Sequence, residues 1–498
     1  MDARLKYREH MARAASKGLE AVIELRRLKG LSPATARQLF TATVAPLVDY
    51  ASSVWMHECK YKAAIPINRV QKIGAQAIIG TFMTVATKVA EAEAHIPTVE
   101  DRHWRRAIKL WTDIHALPDT NPLRRNTSRM RKFRKQHRSP LFQVAETLKD
   151  IAMEDMETIN PFTLAPWEMR VQTDTDGTAT REPDSTRAAY IAVSSSARNG
   201  VVGLGGAIET RKRVGEGPTV ETFSSTLGPR TEQNPYVGEL AAMAHALSRL
   251  PQRRYRSITL LTRNKAAVLT IRNPRQPSGQ EHVCSIYKSI RKLKRENNKI
   301  AVVWLQPAQD DELWTRAKEK AKEATRQGSE PQTESPRARS TTLSVARARR
   351  GTTRSLLDKV GKLSKRVDTA LPGKHTRKLY DQLTWKEASV LAQLRTGMAR
   401  LNSYLSVIKA APSDQCDCGE ARETVEHFLF RCRRWAEHRS EMLRCTATHR
   451  SNVSFYLGGK SASDDENWAP DLKAVRTTVR FAIATGRLDA DPWQRSSQ

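Results

Sequence analysis

The chain has 498 residues and a formal net charge of +31, from 84 Lys and Arg against 53 Asp and Glu. This length predicts several domains, and the excess of positive charge favours a phosphate polyanion as partner. No stretch is close to the roughly 20 apolar residues that a membrane helix needs, and the charged N-terminus lacks the apolar core of a signal peptide. We therefore expect a nuclear or cytoplasmic protein, neither secreted nor inserted in a membrane.

Helices are predicted for residues 1–117. Ser32 can cap a helix that begins at Pro33, because its side chain can accept from a free backbone N–H and proline fits the first helical position. Pro46 lies inside the following apolar run and is expected to kink it. Apolar residues in Arg102–Leu117 recur at helical intervals as well. Mostly helical structure is thus expected for this region.

Two basic segments are predicted to be linkers, residues 118–186 and residues 327–375. Arg124–Arg138 holds eight Lys and Arg and no acid, and Arg337–Arg354 holds six arginines and no acid. Neither stretch has enough apolar side chains to fold alone. We expect sequence-independent phosphate contacts, the alternatives being solvated linkers or nuclear-import signals. The candidate contact residues are Arg124, Arg125, Arg129, Arg131, Lys132, Arg134, Lys135, Arg138, Arg347, Arg349 and Arg350.

Between the two linkers, residues 187–326 carry strand patterns and then alternate between helix and strand. Three consecutive strands are predicted at Ala188–Ser196, Val201–Glu209 and Thr219–Leu227. The elements predicted after them are a helix at Pro235–Leu250, a strand at Ser257–Thr262, helices at Lys265–Ile271 and Gln280–Asn297, a strand at Ile300–Leu305 and a helix at Asp310–Thr325. This order predicts an α/β domain with a mixed five-stranded sheet covered by helices.

The C-terminal region, residues 376–498, is predicted to be helical and to contain a metal site. The pattern C-x-C-x8-H-x4-C is formed by Cys416, Cys418, His427 and Cys432. Four such ligands can close a tetrahedral Zn²⁺ shell, which would be structural because no position stays open. The single residue between the first two cysteines is an unusual spacing, so unliganded core cysteines are the alternative. Cys445 and His438 are the substitute ligands to consider.

The order of elements in residues 187–326 resembles the RNase H fold, and four local motifs carry the resemblance. Ser194–Gly203 looks like the first hairpin of that family, and Gly238–Ala242 resembles its Ala-Glu-Leu-x-Ala helix start. Leu261–Ala267 lies where the family has Thr-Asp-Ser-x-x-Ala, and Val303–Pro307 looks like the strand before its last helix. The resemblance implies an RNase H-like domain.

Outside that domain the chain is similar to non-LTR retrotransposon reverse transcriptases. Gly30–Trp55 and Asn68–Arg102 resemble the segment that follows the polymerase palm, and the cysteine-containing region resembles the tail of the fungal members, with a CCHC zinc knuckle. The polymerase signature, an aromatic residue followed by x-Asp-Asp, is expected upstream of Met1. Asp310-Asp311 and Asp464-Asp465 lack the aromatic residue. No polymerase activity is therefore expected.

The RNase H resemblance also implies a set of catalytic positions. The family cleaves RNA in a hybrid with two Mg²⁺ ions, held by Asp, Glu, Asp and Asp. On this sequence those positions fall on Ser194, Glu239, Arg263 and Thr315, so that only Glu239 keeps a carboxylate. The family's mobile histidine, expected after Pro307, is absent as well. Glu239 is either a vestigial ligand or a solvated residue near a helix start, and Arg263 either contacts phosphate or is an exposed strand-end arginine.

The leading prediction is a retrotransposon-derived protein that binds RNA, DNA or their hybrid without sequence preference. Its RNase H-like domain would have lost three of four acids, leaving neither polymerase nor nuclease activity. One alternative is a divergent Mg²⁺-dependent hybrid ribonuclease, and another is an interaction or scaffold protein. The acids that could replace the lost ones are Glu209, Asp310, Asp311 and Glu312. Structural Zn²⁺ is expected in either case, and Mg²⁺ only in an active ribonuclease.

Overall fold

A computed structural model describes residues 6–28, 30–59, 61–132, 140–168, 170–177, 188–210, 218–251, 254–255, 257–331, 334–350, 361–449 and 451–489. The chain divides into two compact units. The first unit combines Met1–Arg106 with Gly351–Gln498, and the second is Ala107–Arg350. In the described residues no helix is both long enough and apolar enough to cross a membrane.

The N-terminal part of the first unit is helical, as predicted. Its helices are α1 (Arg8–Arg27), α2 (Pro33–Leu39), α3 (Ala45–Val48), α4 (Ser52–Trp55), α5 (Tyr61–Ile79), α6 (Thr87–Glu93) and the first part of α7 (Val99–His115), whose remaining residues, from Ala107, belong to the second unit. The predicted helix start is confirmed, because the Ser32 hydroxyl accepts a hydrogen bond from the Thr35 amide at 3.2 Å. Directly before Pro46 the chain forms a π-helical turn, Phe40–Val44. The missing N–H of proline explains why regular α-helix is interrupted there.

The second unit contains a sheet and the helices that cover it. In chain order its elements are α8 (Pro122–Lys132), α9 (Pro140–Thr147), β1 (Gln172–Asp174), β2 (Ala188–Arg198), β3 (Val201–Thr210), β4 (Thr219–Pro229), α10 (Pro235–Arg249), β5 (Ser257–Thr262), α11 (Lys265–Arg272), α12 (Gln280–Arg295), β6 (Lys299–Trp304), α13 (Glu312–Glu323) and α14 (Arg339–Arg350). The described strands form one mixed sheet in the order β1-β6-β5-β2-β3-β4. Strands β2, β3 and β4 pair antiparallel, and the other neighbours pair parallel.

The predicted mixed α/β architecture is present, but the described sheet has six strands where five were predicted. The additional strand is β1, which pairs with β6 so that Gln172 lies opposite Ala301. It falls within residues 118–186, which were predicted to be a linker. Three residues at a sheet edge are too few to show the alternation from which strands are recognised.

Both predicted linkers also contain helices. Helices α8 and α9 lie in residues 118–186, and residues 327–375 contain α14 and a further helix at Lys362–Val367. The start of α14 is fixed by the buried carboxylate of Glu157, which accepts from the Arg339 amide at 2.6 Å and from the Ser278 hydroxyl. Glu157 and Arg339 are 182 residues apart in sequence. Local composition gave no sign of this contact, which explains why a linker was predicted there.

The sheet of the second unit is covered on both faces. Ile191 and Val193 of β2 belong to a core shared with α10 and α12, whereas Ala192 belongs to a smaller core with Leu313 and Trp314 of α13. Alternate residues of a strand point to opposite faces, which explains this division. Helix α13 therefore lies on one face of the strands, and α10 on the other.

The C-terminal part of the first unit is helical as well. Its helices are α15 (Lys362–Val367), α16 (His375–Tyr380), α17 (Trp385–Thr396), α18 (Asn402–Leu405), α19 (Ala436–Leu443), α20 (Val453–Tyr456) and α21 (Leu472–Ala484). They share one apolar core with the N-terminal helices, which includes Phe40, Ile78, Leu391 and Val479. The two segments thus fold as one unit, although they are far apart in sequence.

A buried charge network joins these two segments. The guanidinium of Arg395 is fully buried and forms ion pairs with Glu93 at 2.7 Å and with Asp368 at 2.5 Å. The hydroxyl of Tyr380 donates to Glu93 at 3.0 Å. Burial tends to raise the pKa of Asp368, but hydrogen bonds and charges from His375 and Arg395 lower it to about 2. Asp368 is therefore ionised at neutral pH.

Candidate functional site

A cavity of about 510 Å³ in the second unit contains three of the four positions implied by the RNase H resemblance. It is lined by Ser194–Arg198 of β2, Glu239 of α10, Arg263–Lys265 after β5, and Trp314, Lys318 and Lys322 of α13. Because β2 and β5 are parallel neighbours, the carboxyl ends of both strands reach the same edge of the sheet. The sheet topology thus brings together residues that are distant in sequence.

Glu239 lies near the start of α10, where the Asn234 side chain caps the helix by accepting from the Val237 amide. Its side chain is buried, which excludes the alternative of a solvated residue. The carboxylate accepts a hydrogen bond from the Thr262 hydroxyl at 2.5 Å. Burial raises the pKa of Glu239 to about 7, against the opposing hydrogen bonds from Thr262 and Ser195. Part of the Glu239 population is therefore protonated at neutral pH.

Arg263 takes the place of the third acid and is half-buried, not an exposed strand-end residue. Its guanidinium carbon lies 3.7 Å from the centre of the Trp314 ring. Its Nη2 donates to the backbone carbonyl of Gln309 at 2.6 Å. Stacking on an aromatic face and hydrogen bonding to a carbonyl both favour the charged guanidinium. These contacts hold a positive charge in the cavity.

The first and fourth acid positions differ in their placement. Ser194 lines the cavity and is buried in β2. Thr315 is exposed on α13, is not among the described lining residues, and donates its hydroxyl to the Asp311 carbonyl at 3.0 Å. The resemblance therefore places Ser194, Glu239 and Arg263 in one site but not Thr315.

The described lining of the cavity does not fit a pair of Mg²⁺ ions. Its cationic residues are Arg198, Arg263, Lys265, Lys318 and Lys322, and Glu239 is the single acid among the described lining residues. The acids that could have substituted, Glu209, Asp310, Asp311 and Glu312, are absent from that described lining. Mg²⁺ takes oxygen ligands and is repelled by neighbouring cations. We derive no metal-assisted step from this set of side chains.

Three of the described candidates in the basic segments already have partners within the protein. Arg124 pairs with Asp119 at 2.8 Å and donates to the Leu117 carbonyl, and Arg125 donates to the Asp119 carbonyl at 3.0 Å. Arg349 pairs with Asp150 at 2.5 Å. Arg129 and Arg347 have exposed side chains. The remaining candidates lie outside the described side chains: Arg131, Lys132, Arg134, Lys135, Arg138 and Arg350.

The four predicted metal ligands of the first unit come together. The ligand atoms of Cys416, Cys418, His427 and Cys432 all lie within 4.8 Å of one another, and all four residues are buried. The Cys416 and Cys432 sulfurs are 3.6 Å apart, and the Cys418 sulfur is 3.3 Å from His427 Nε2. This arrangement can hold a metal ion. Cys445 lies elsewhere, with its sulfur 3.1 Å from the Thr477 hydroxyl, and His438 is likewise outside the cluster.

Local backbone structure explains how the cluster forms. Gly419 has a φ of 77°, a left-handed conformation that suits glycine. Its amide donates to the Cys416 carbonyl at 2.8 Å, which closes the turn that carries the first two thiols. A π-helical turn, His427–Arg431, then leads to Cys432. The buried Arg439 donates to the carbonyls of Leu429 and Cys432, both at 2.7 Å, and so fixes this second half.

No family model matches this chain, and no curated protein matches it.

Sequence reasoning missed most of the cations that line the cavity. Arg198 and Lys265 end a strand and begin a helix, so nothing local distinguishes them from ordinary surface residues. A signal was present in α13, because Trp314, Lys318 and Lys322 follow one another at intervals of four residues. Residues at that spacing share one face of a helix. An aromatic residue and two lysines on one face of the last helix indicated a cationic surface there.

Proposed function

We propose that this chain is a nucleic-acid-binding protein of retrotransposon origin, whose RNase H-like domain binds its ligand without cleaving it. The observation that carries the proposal is the cavity at the carboxyl ends of β2 and β5, whose described lining has five cationic residues and the buried acid Glu239. Three antiparallel strands followed by parallel strands and helices agree with the order of elements on which the RNase H resemblance rests. The cavity lies where that resemblance implies catalysis.

The charge of the cavity supports a polyanionic ligand. Clustered Lys and Arg side chains bind phosphates and release counterions, which gives affinity without sequence preference and with a strong dependence on salt. The net charge of +31 adds a general attraction for the same class of ligand. A nucleic acid presents a phosphate at each nucleotide and fits both features.

We expect no cleavage because of the residues at the four positions where the RNase H family has metal-binding acids. Two-metal hydrolysis needs several carboxylates to bring the ions close together. Serine at the first position and arginine at the third remove two of them, and the fourth position, Thr315, lies outside the described lining of the cavity. Glu239 alone does not supply a two-ion site. Binding therefore survives in this proposal, and hydrolysis does not.

A retardation experiment with a labelled RNA–DNA hybrid tests binding. Replacing Lys318 and Lys322 together by alanine should weaken binding about tenfold and reduce the slope of log K against log salt by about 2. The matched control replaces Lys288 and Lys292 of α12 by alanine, since both are exposed and lie outside the described lining. Equal binding by the cavity variant and the wild type would contradict the proposal.

A cleavage experiment tests the second half of the proposal. The wild-type chain is incubated with the hybrid and Mg²⁺ or Mn²⁺, beside a Glu239→Gln variant. No strand scission is expected from either protein. Scission by the wild type that disappears in Glu239→Gln would identify an active ribonuclease instead.

For the cysteine cluster we infer a structural Zn²⁺ ion. Three thiolates and an imidazole are a common zinc ligand set, and a tetrahedral ion with Zn–S bonds of about 2.3 Å places two sulfurs about 3.8 Å apart. The Cys416 and Cys432 sulfurs are 3.6 Å apart, which is close to that spacing. Four protein ligands would leave no open position for substrate.

Metal analysis of the purified chain tests this assignment. About one zinc per chain is expected, with loss of the metal in Cys416→Ser and retention in Cys445→Ser, whose sulfur lies outside the cluster. Equal zinc content in the two variants would show that the ligand set is wrong.

A further inference from the structure

We propose that the cavity binds a backbone phosphate of a nucleic acid directly through side-chain cations, without a divalent metal ion. This inference rests on the proposed function, because it names how the same cavity recognises its ligand. In the RNase H family, which this domain resembles, metal ions held at these acid positions would neutralise the phosphate. Here the side-chain cations would do so instead. Four observations on the lining residues carry it.

The first observation concerns Arg263, which is held in place before any ligand arrives. Trp314 supports one face of the guanidinium at 3.7 Å, and the Gln309 carbonyl fixes one amino group at 2.6 Å. Its Nε is buried and has no hydrogen-bond partner among the described residues. A buried donor without a partner destabilises the folded protein, unless a ligand accepts a hydrogen bond from it. A phosphate oxygen is the acceptor that suits a guanidinium best.

The second observation is that aromatic rings also hold two ammonium groups. The Nζ of Lys318 is 5.0 Å from the centre of the Trp314 ring, and the Nζ of Lys265 is 4.5 Å from that of Trp304. Cation–π contacts restrict side chains that would otherwise be mobile, so less entropy is lost when they bind. Positive charge is therefore partly pre-organised around the cavity.

The third observation is that Glu239 is engaged by the protein. One carboxylate oxygen accepts from the Thr262 hydroxyl at 2.5 Å, and the side chain is only 4% exposed. A metal ion would have to compete with this hydrogen bond and would lie among five cationic residues. A phosphate group meets the opposite situation, since the cations attract it.

The fourth observation favours a nucleic-acid strand over a free anion as the ligand of the cavity. Lys318 and Lys322 lie one turn apart on α13, and Arg198 and Lys265 lie at the ends of two other elements. These four cations thus come from three separate elements around a cavity of about 510 Å³. A nucleic-acid backbone offers successive phosphates to cations on several elements, whereas a free anion offers only one.

The test measures binding of a fluorescent oligonucleotide to the full chain by anisotropy, in Mg²⁺ and in a buffer of equal ionic strength that a chelating resin has freed of Mg²⁺ before the protein is added, so that no chelator reaches the zinc site. Affinity should agree within about twofold between the two buffers. Arg263→Gln and, separately, Lys318→Gln should each weaken binding about tenfold in both buffers. Arg272→Gln, an exposed arginine on α11 outside the described lining, is the control of equal charge change. Lys318 is exposed, so its variant remains informative should Arg263→Gln fail to fold.

Several outcomes would overturn this inference. One is binding that needs Mg²⁺, which would leave the proposed function intact but assign recognition to a metal ion. Another is wild-type affinity in both cavity variants. A mononucleotide that competes as well as the oligonucleotide would reassign the cavity to a free phosphate ligand. Failure of the wild-type chain to bind any oligonucleotide at low salt would instead contradict the proposed function itself.

Discussion

Glu239 is a carboxyl group inside a cationic cavity, and its protonation links the stability of the second unit to pH. Burial raises its pKa from the ordinary 4.5 to about 7. As pH rises above about 4.5, the unfolded chain loses this proton while the folded chain retains it, which favours unfolding. The resulting loss of stability levels off above about pH 7, at about 3 kcal/mol. The other charged groups among the described lining residues are arginines and lysines.

Replacing Glu239 by glutamine should therefore stabilise the protein only at high pH. The amide keeps the shape of the side chain and an acceptor for Thr262, but it does not ionise. We expect the free energy of unfolding to rise by up to about 3 kcal/mol near pH 8, with little change near pH 5. Urea denaturation at the two pH values measures the effect. Glu319→Gln, an exposed position on α13, is the control, and an equal shift at both pH values would contradict the explanation.

At the scale of elements, Gly205 determines how closely α13 approaches the sheet. A Cβ added at Gly205 would lie 2.2 Å from the Ala321 amide nitrogen and 2.7 Å from the Ala317 carbonyl oxygen. Both atoms belong to the backbone of α13, so they cannot move aside like a flexible side chain. The helix carries Trp314, Lys318 and Lys322 to the cavity. Its position on the sheet therefore decides where these cations lie.

We expect Gly205→Ala to destabilise the second unit by about 3 kcal/mol, because the added methyl group forces α13 away from β3. Oligonucleotide affinity should fall too, since the lysines of α13 move with the helix. Thermal unfolding and anisotropy measure the two effects. Gly228→Ala is the matched control, because its Cβ would come 3.1 Å from the Gln233 side chain, which can move. Wild-type stability in Gly205→Ala would show that α13 is not packed this tightly.

The same elements show how far the sequence predicts the structure. Strands β2 to β6 were found because their apolar runs are long enough to recognise, and the cap at Ser32 follows from local chemistry. The three-residue β1 and the anchoring of Arg339 by Glu157 were missed, because both depend on partners far away in sequence. In the site, motif order named four positions, of which Ser194, Glu239 and Arg263 line one cavity and Thr315 is not among its described lining residues. The lysines of α13 were missed, since charges on a helix are usually a solvated face.

At the scale of the whole molecule, the first unit depends on contacts between two segments that the second unit separates in sequence. Arg395 connects them through its ion pairs with Glu93 and Asp368, which are themselves fully buried. Because the pKa of Asp368 is lowered from 3.8 to about 2 in the folded state, its contribution to stability is lost progressively as the pH falls from about 4 to about 2. Each of the two units also has an apolar core of its own.

Because each unit has its own core, we expect two unfolding transitions in calorimetry. A zinc chelator should lower only the transition of the first unit, which contains Cys416. Arg395→Met should destabilise the first unit by about 3–5 kcal/mol, since it removes the guanidinium that two buried carboxylates share. Arg27→Met is the control, because its ion pair with Glu24 is largely exposed and contributes little. Glu239→Gln should shift only the other transition. A single transition that all these changes move together would contradict two independently folding units.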